Sequence, residues 1–284
     1  MTKQLLSKIE GCYSSMSKGH KRIADYITEN YDKAAFMTAA KLGDTVGVSE
    51  STVVRFASEL GFLGYPQLQK ALQEVVKSRL TSVQRMEAAG GEDMLEHAFS
   101  SDIETIKVTR ESISREAFNA SVEAINRAKH IYVLGVRSAA SLASFAAFYL
   151  NFVYDSVTLI EPAGTGEAFD QAFRINKDDV CIAISFPRYS KQTINMLRFI
   201  SDRGATVISV TDSENSPIAQ FATHLLLARS SMVSFVDSLV APLSLINALI
   251  AAAASEKSGE VYSNLSSLEN IWDEYQIYQT HEDE

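Results

Sequence analysis

Two periodicities divide the chain. Up to about residue 80, apolar side chains recur every three or four positions, as in Ile23, Tyr26, Ile27 and Tyr31, which is the spacing of one face of an α-helix. The pattern predicts a second helix over Thr38–Val46, with Thr38 as its N-cap. Gly47 interrupts it. A third helix follows, with Ser49 as candidate cap and Val53, Val54, Phe56, Ala57 and Leu60 on its apolar face, ending at Gly61-Phe62. Gly64-Tyr65-Pro66 reads as a turn, and Pro66 suits the first turn of a further helix, Gln67–Leu80. Residues 81–128 are polar, with a break at Gly90-Gly91 and a helix after it.

From His130 the pattern changes to short β-branched runs alternating with helices. Predicted strands are Ile131–Leu134, Val157–Ile160, Val180–Ser185, Thr206–Thr211 and His224–Ala228. Predicted helices are Ser138–Leu150, Ser190–Arg203 and Val236–Glu256, with a shorter one near Ala168. Strands this apolar are buried on both faces, which calls for a parallel sheet covered by helices. The expected organisation is an all-α domain over residues 1–80, a linker helix over 81–114, an α/β domain with a five-stranded parallel sheet over 115–258, and a C-terminal helix with an acidic tail over 259–284.

Composition narrows the class. The chain has 284 residues, enough for two ordinary domains, and at 46% hydrophobic and 21% charged residues it supports a real core. No run approaches the ~20 apolar residues of a membrane span. The N-terminus carries no signal-type apolar block, so a cytoplasmic protein is expected. Two cysteines, Cys12 and Cys181, exclude a disulfide scaffold and a four-cysteine zinc site. Residues 1–80 hold 11 Lys+Arg against 8 Asp+Glu, a net of +3, whereas residues 81–284 hold 15 against 27, a net of −12. A mildly basic segment on an acidic body permits local DNA contact, although +3 over 80 residues also lies within ordinary scatter.

Thr38 to Leu60 has the format of a helix-turn-helix. In that arrangement one helix braces a second, whose N-terminal turn lies in the major groove. Ser49, Ser51 and Thr52 sit on that turn, where hydroxyls reach phosphates or base edges, and Arg55 lies one turn on, placed for guanine or phosphate. Glu50 suits either a cytosine contact or the helix start. The same spacing also describes a small helical bundle that only dimerises.

The segments Lys21-Arg22-Ile23-Ala24-Asp25-Tyr26-Ile27, Ala35-Phe36-Met37-Thr38-Ala39-Ala40, Val48-Ser49-Glu50-Ser51-Thr52-Val53-Val54-Arg55-Phe56-Ala57 and Leu60-Gly61-Phe62, ending in Gly64-Tyr65-Pro66-Gln67-Leu68, resemble in order the N-terminal domain of RpiR/MurR-type bacterial transcription regulators. That resemblance implies double-stranded operator DNA as a partner.

In an open parallel sheet, ligands bind outside the carboxyl ends of the strands. Three loops there carry polar groups: Gly135-Val136-Arg137-Ser138, Ser185-Phe186-Pro187-Arg188-Tyr189-Ser190-Lys191-Gln192-Thr193, and Thr211-Asp212-Ser213 followed by Asn215-Ser216-Pro217. Hydroxyls and N–H groups at a helix N-terminus suit a phosphate monoester. Ser190 and Thr193, three apart, share one side of a first helical turn, and Arg137 and Arg188 supply charge-assisted contacts. Ser138, Ser190 and Thr193 are equally placed to act as ordinary helix caps, and the two arginines as surface pairs.

Residues 115–255 look like a SIS (sugar isomerase) domain, the usual partner of the RpiR N-terminus. The resemblance matches Ser138 to a serine after the first strand, and Ser190 and Thr193 to the second serine and the threonine of a phosphate-holding Ser-x-Ser-Gly-x-Thr loop. Lys191 stands in place of the glycine. The extra Phe186-Pro187-Arg188 leaves the first loop serine matched either to Ser185 or to the position of Arg188. The implied fold is thus an all-α helix-turn-helix domain joined to an α/β SIS domain, with a phosphorylated sugar or related anionic metabolite as effector.

An isomerase would need a base to move a proton between adjacent carbons and a group to open the sugar ring. His20 and His97 precede the sheet domain, His130 and His224 begin strands at the wrong end, and His281 lies in the tail. Glu161, Glu167 and Asp237 form no evident acid–base pair. The expectation is a ligand-responsive regulator, with repression relieved by ligand, and the alternative is a sugar-phosphate isomerase with an accessory helical domain. No catalytic residue, cofactor or metal is assigned. Reading two DNA half-sites calls for a homodimer or homotetramer.

Overall fold

The computed structural model describes residues 8–9, 11–79, 83, 85–86, 93–161, 165–232 and 234–278. The chain divides into two compact units, Met1–Gly91 and Glu92–Glu284. The predicted break at Gly90-Gly91 lies outside the described residues.

The first unit contains α1 (Lys18–Glu29), α2 (Tyr31–Ala34), α3 (Ala39–Val46), α4 (Glu50–Glu59) and α5 (Tyr65–Arg79). Ile23 and Ile27 of α1, Leu42 of α3, Val53 and Phe56 of α4 and Leu68 and Leu72 of α5 are fully buried together. Thr38 caps α3 by accepting the Lys41 N–H at 3.2 Å. The four-residue α2 is too short to register as periodicity. α5 begins two residues before the expected start, so Pro66 falls in its first turn, where a missing N–H does no harm. The Tyr65 hydroxyl donates to the Met37 carbonyl at 2.7 Å, and burial pushes the phenol up to about 12.

The second unit opens with α6 (Met94–Ser112) and α7 (Arg115–Arg127). Ser114 caps α7 by accepting the Ala117 N–H at 3.1 Å and so starts a new helix. There follow β1 (Ile131–Gly135), α8 (Ala139–Leu150), β2 (Val157–Ile160), α9 (Thr165–Ala172), β3 (Val180–Ile184), α10 (Lys191–Asp202), β4 (Thr206–Thr211) and β5 (His224–Leu227). A two-stranded pair, β6 (Ser231–Met232) with β7 (Asp237–Ser238), leads to α11 (Val240–Glu256) and α12 (Ser258–Glu274). The five long strands form one parallel sheet in the order β2-β1-β3-β4-β5. Val133, Ile182 and Ile208 pack on one face with Ala143, Ala147 and Leu249 from α8 and α11. Leu134, Cys181, Ala183 and Val207 pack on the other with Ala168, Met196 and Ile200 from α9 and α10.

The helix expected from Val236 begins instead at Val240, because Pro242 tolerates only a first-turn position. A start at Val236 would set the proline ring against the Ser238 carbonyl. The acidic tail expected at the C-terminus, with His281, lies outside the described residues. Among the described residues no helix is long and apolar enough to cross a membrane, and no cluster of three or more His, Cys, Asp or Glu is placed to hold a metal.

Cys181 is fully buried on β3, and desolvation pushes its thiol up to about 12. Only the thiolate is nucleophilic. A thiol reagent at neutral pH is therefore expected to modify Cys181 only on unfolding. Peptide mapping that found Cys181 modified in the native protein as fast as Cys12 would contradict this burial.

Candidate functional site

The hinge between α3 and α4 is built on two glycines. Gly47 ends α3 in the left-handed region, at φ +70°. Gly43, inside α3, lies so close to the turn that an added Cβ would stand 2.7 Å from the Val48 carbonyl oxygen. Arg22 of α1 donates to the Gly47 carbonyl at 3.1 Å, and His20 pairs with Glu59, so α1 holds the turn and the far end of α4. Gly43 carried no signal in the sequence, because a glycine inside a helix reads only as a weak helix former.

Ser49 caps α4 by accepting the Thr52 N–H, and its hydroxyl lies 2.9 Å from that of Ser51 and 2.8 Å from that of Thr52. Arg55 is exposed, and its Nε donates to the Ser51 carbonyl at 3.3 Å. Ser49, Ser51 and Arg55 thus share an exposed surface. Thr52 is half-buried, its methyl next to Gly19 of α1. Val54, expected on the apolar face, is 40% exposed on the same outward side as Ser51, Arg55 and Ser58. Val53 shares the buried stripe with Phe56 and Ala57, and Val54 lies just outside it.

In the second unit, the register pairs Gly135 of β1 with Ile184 of β3, and Ile184 with Val210 of β4. The loops after these three strands therefore leave the sheet side by side. β1 presses on α8 at Gly135, where an added Cβ would lie 2.5 Å from the Ala139 carbonyl oxygen. Arg137 follows at φ +61°, a left-handed conformation that side-chain-bearing residues seldom adopt. Ser138 stands at the N-cap position of α8 but makes no capping hydrogen bond. Ser190 does cap α10, accepting the Gln192 N–H at 3.2 Å. Ser185 is buried at the end of β3, and its N–H donates to the Val210 carbonyl at 3.1 Å.

Thr193, on the first turn of α10, is 1% exposed, and its hydroxyl has no hydrogen-bond partner among the described residues. Arg137 and Arg188 are exposed, and neither forms an ion pair among the described residues. Among the described residues, the carboxyl edge thus offers an orphan buried hydroxyl, a second hydroxyl not used for capping, a helix N-terminus and two guanidinium groups without an ion pair.

A cavity of about 510 Å³ lies at the opposite edge, lined among others by Lys129, Tyr154, Asp155, Lys257, Glu260 and Asn264. None of the predicted ligand residues lines it. Its cations are already matched: Lys129 to Asp178 at 2.7 Å and Lys257 to Glu260 at 3.4 Å. His130 Nε2 lies 2.8 Å from the Thr158 hydroxyl, with its ring stacked on Tyr132. The N-termini of α8 and α10, with Arg137 and Arg188 unpaired among the described residues, are at the carboxyl edge, an arrangement suited to an anion.

Comparison with known proteins matches both units. The model described as "Helix-turn-helix domain, rpiR family" covers residues 3–79, and that of the SIS domain covers residues 124–252. The sugar isomerase domain of an RpiR transcription factor from Sphaerobacter thermophilus is 30% identical, with a TM-score of 0.58 over 61% of this chain and 96% of that one. Vibrio vulnificus NanR, solved with ManNAc-6P, is 23% identical, with a TM-score of 0.60 over 95% of this chain and 98% of that one, a likeness of fold. The HTH-type transcriptional regulator HexR of Pseudomonas aeruginosa is 24% identical over 78% of this chain and 77% of its own. An uncharacterised HTH-type regulator of Haemophilus influenzae is 26% identical over 78% of this chain and 79% of its own.

Proposed function

The chain belongs to the RpiR family of helix-turn-helix transcription regulators, and on that premise we propose that its SIS domain binds a phosphorylated sugar which changes its affinity for operator DNA. It is a DNA-binding regulator and not an enzyme. The observation that carries the ligand reading is the buried, unpartnered Thr193 hydroxyl on the first turn of α10. A buried donor without an acceptor costs about 1–3 kcal/mol, and a phosphate oxygen removes that cost. Ser190 keeps its own hydroxyl proton for the same anion while capping the helix. Ser138, Ser185, Arg137 and Arg188 complete the proposed set. Vibrio vulnificus NanR, the relative solved with ManNAc-6P, supports the ligand class without fixing which phosphosugar acts here.

In this reading residues 1–80 read DNA, 81–114 link, 115–258 sense the ligand, and 259–284 form the terminal helix and tail. The protein works in the cytoplasm as a repressor of carbohydrate genes. A homodimer or homotetramer presents two reading helices to half-sites about 34–36 Å apart, or a multiple of that distance. Ligand acts only through a difference in affinity for the DNA-competent and incompetent arrangements.

On DNA, Ser49, Ser51 and Arg55 meet phosphates and base edges from the first turns of α4, with Thr52 beside them. Val54 adds an apolar contact suited to a thymine methyl. Arg55→Ala is expected to lose about 1–3 kcal/mol of operator affinity, with the fold and oligomeric state unchanged. A mobility-shift titration on the fragment that wild type selects from random-sequence DNA measures this. Unchanged affinity would remove α4 as the reading helix.

A further inference from the structure

Tyr189 and Asp212 meet at the carboxyl edge of the sheet and belong to none of the roles assigned above. Tyr189 ends the loop from β3 and directly precedes Ser190, the cap of α10. Asp212 follows β4, the neighbouring strand. The Tyr189 hydroxyl donates to Asp212 Oδ1 at 2.7 Å, and the Thr211 hydroxyl donates to the same oxygen at 3.2 Å. Both Tyr189 and Asp212 are half-buried. A carboxylate is the wrong charge beside a phosphate, yet here it is anchored by two hydroxyls on the edge that faces the anion.

We infer that Asp212 occupies the place of the ligand's phosphate in the Tyr189 hydrogen bond: in the free protein the carboxylate holds the tyrosine proton, and the arriving phosphate takes it over. The inference rests on the proposed anion site at the start of α10. A phenol has one proton to give, so it serves one acceptor at a time. Ligand binding therefore breaks the tie between the two loops, makes Tyr189 a donor to the ligand, and leaves Asp212 as a repulsive charge that holds affinity down. Selectivity follows from the same exchange. A doubly charged phosphate competes for the proton better than a neutral sugar hydroxyl does, because hydrogen bonds to an ionised acceptor are the stronger ones.

The two side chains then have opposite effects, which a purely structural tie cannot produce. Asn in place of Asp212 keeps an acceptor for Tyr189 and removes the charge. Phe in place of Tyr189 keeps the ring and removes the donor. Inorganic phosphate is titrated into the full-length protein, with half-saturation read by calorimetry or by the rise in unfolding temperature. Asp212→Asn is expected to lower the half-saturating phosphate concentration about threefold to tenfold, and Tyr189→Phe to raise it by a similar factor. Asp212→Ser gives a second neutral acceptor should the asparagine variant fail to fold. If both neutral variants weaken phosphate binding or leave it unchanged, or if Tyr189→Phe leaves it unchanged, the inference is overturned. Thr193→Val separates the two levels. Phosphate binding that survives Thr193→Val removes the anion site itself, whereas its loss there with no response at Asp212 or Tyr189 removes only the exchange.

Discussion

Valine in place of Thr193 is expected to leave the free protein slightly more stable and to abolish most of its affinity for a phosphosugar. The two side chains have the same shape, so packing around α10 is kept. What changes is one buried hydroxyl with no partner among the described residues. Its removal relieves a desolvation penalty, so unfolding in denaturant is expected to show a gain of about 1 kcal/mol. On the bound side, the lost hydrogen bond goes to an ion and is worth about 1.5–3 kcal/mol, roughly tenfold to a hundredfold in affinity. Stability and function therefore move in opposite directions at one atom. Calorimetry and denaturant titration on the same preparation test both halves. A variant that is less stable and binds normally would mean that the hydroxyl serves the fold.

The second large effect is expected in the other unit. Gly43→Ala places a Cβ 2.7 Å from the Val48 carbonyl oxygen, 3.3 Å from the Ser49 carbonyl carbon and 3.4 Å from the Glu50 nitrogen. All three are backbone atoms of the turn and of the first residue of α4, so no side chain can swing aside. Overpacking of this kind costs about 1–3 kcal/mol and here displaces the start of the reading helix. Operator affinity is expected to fall at least about tenfold, since a bidentate base contact alone is worth that much. Phosphosugar affinity, which the proposed site places in the second unit, is expected to stay at the wild-type value. Gly19→Ala is the control, because its nearest contact is 3.4 Å from the Thr52 methyl, a side-chain atom. Wild-type DNA affinity in Gly43→Ala would show that the α3–α4 hinge tolerates opening.

Much of this was legible in the chain because local chemistry wrote it there. Thr38, Gly47 and Ser49 mark a cap, a left-handed stop and a second cap, and they locate the helix-turn-helix within a residue or two. The apolar runs of β1, β3 and β4 are buried on both faces and read as strands for that reason, while the edge strands β2 and β5 are half-buried yet carry the same apolar pattern. Other features depend on what the fold brings together. Gly43 matters only because the chain returns on it at Val48. Ile113 ends one helix and Ser114 begins the next within a polar stretch that has no change of period. Val236 and Leu239 read as the first apolar positions of α11, and only Pro242 shows that the helix must start later. Ser138 and Ser190 looked alike as caps, yet Ser190 caps and Ser138 does not. The tie between Tyr189 and Asp212 spans 23 positions and two strands, and it exists because β3 and β4 are neighbours.

The most direct test is a crystal structure of the full chain with the tightest-binding member of a phosphosugar panel. The account predicts the phosphate at the first turn of α10, about 3 Å from the hydroxyl oxygens of Ser190 and Thr193, with Ser138 facing it from the next loop. Phosphate density at the opposite edge, in the cavity between Lys129 and Lys257, would contradict it.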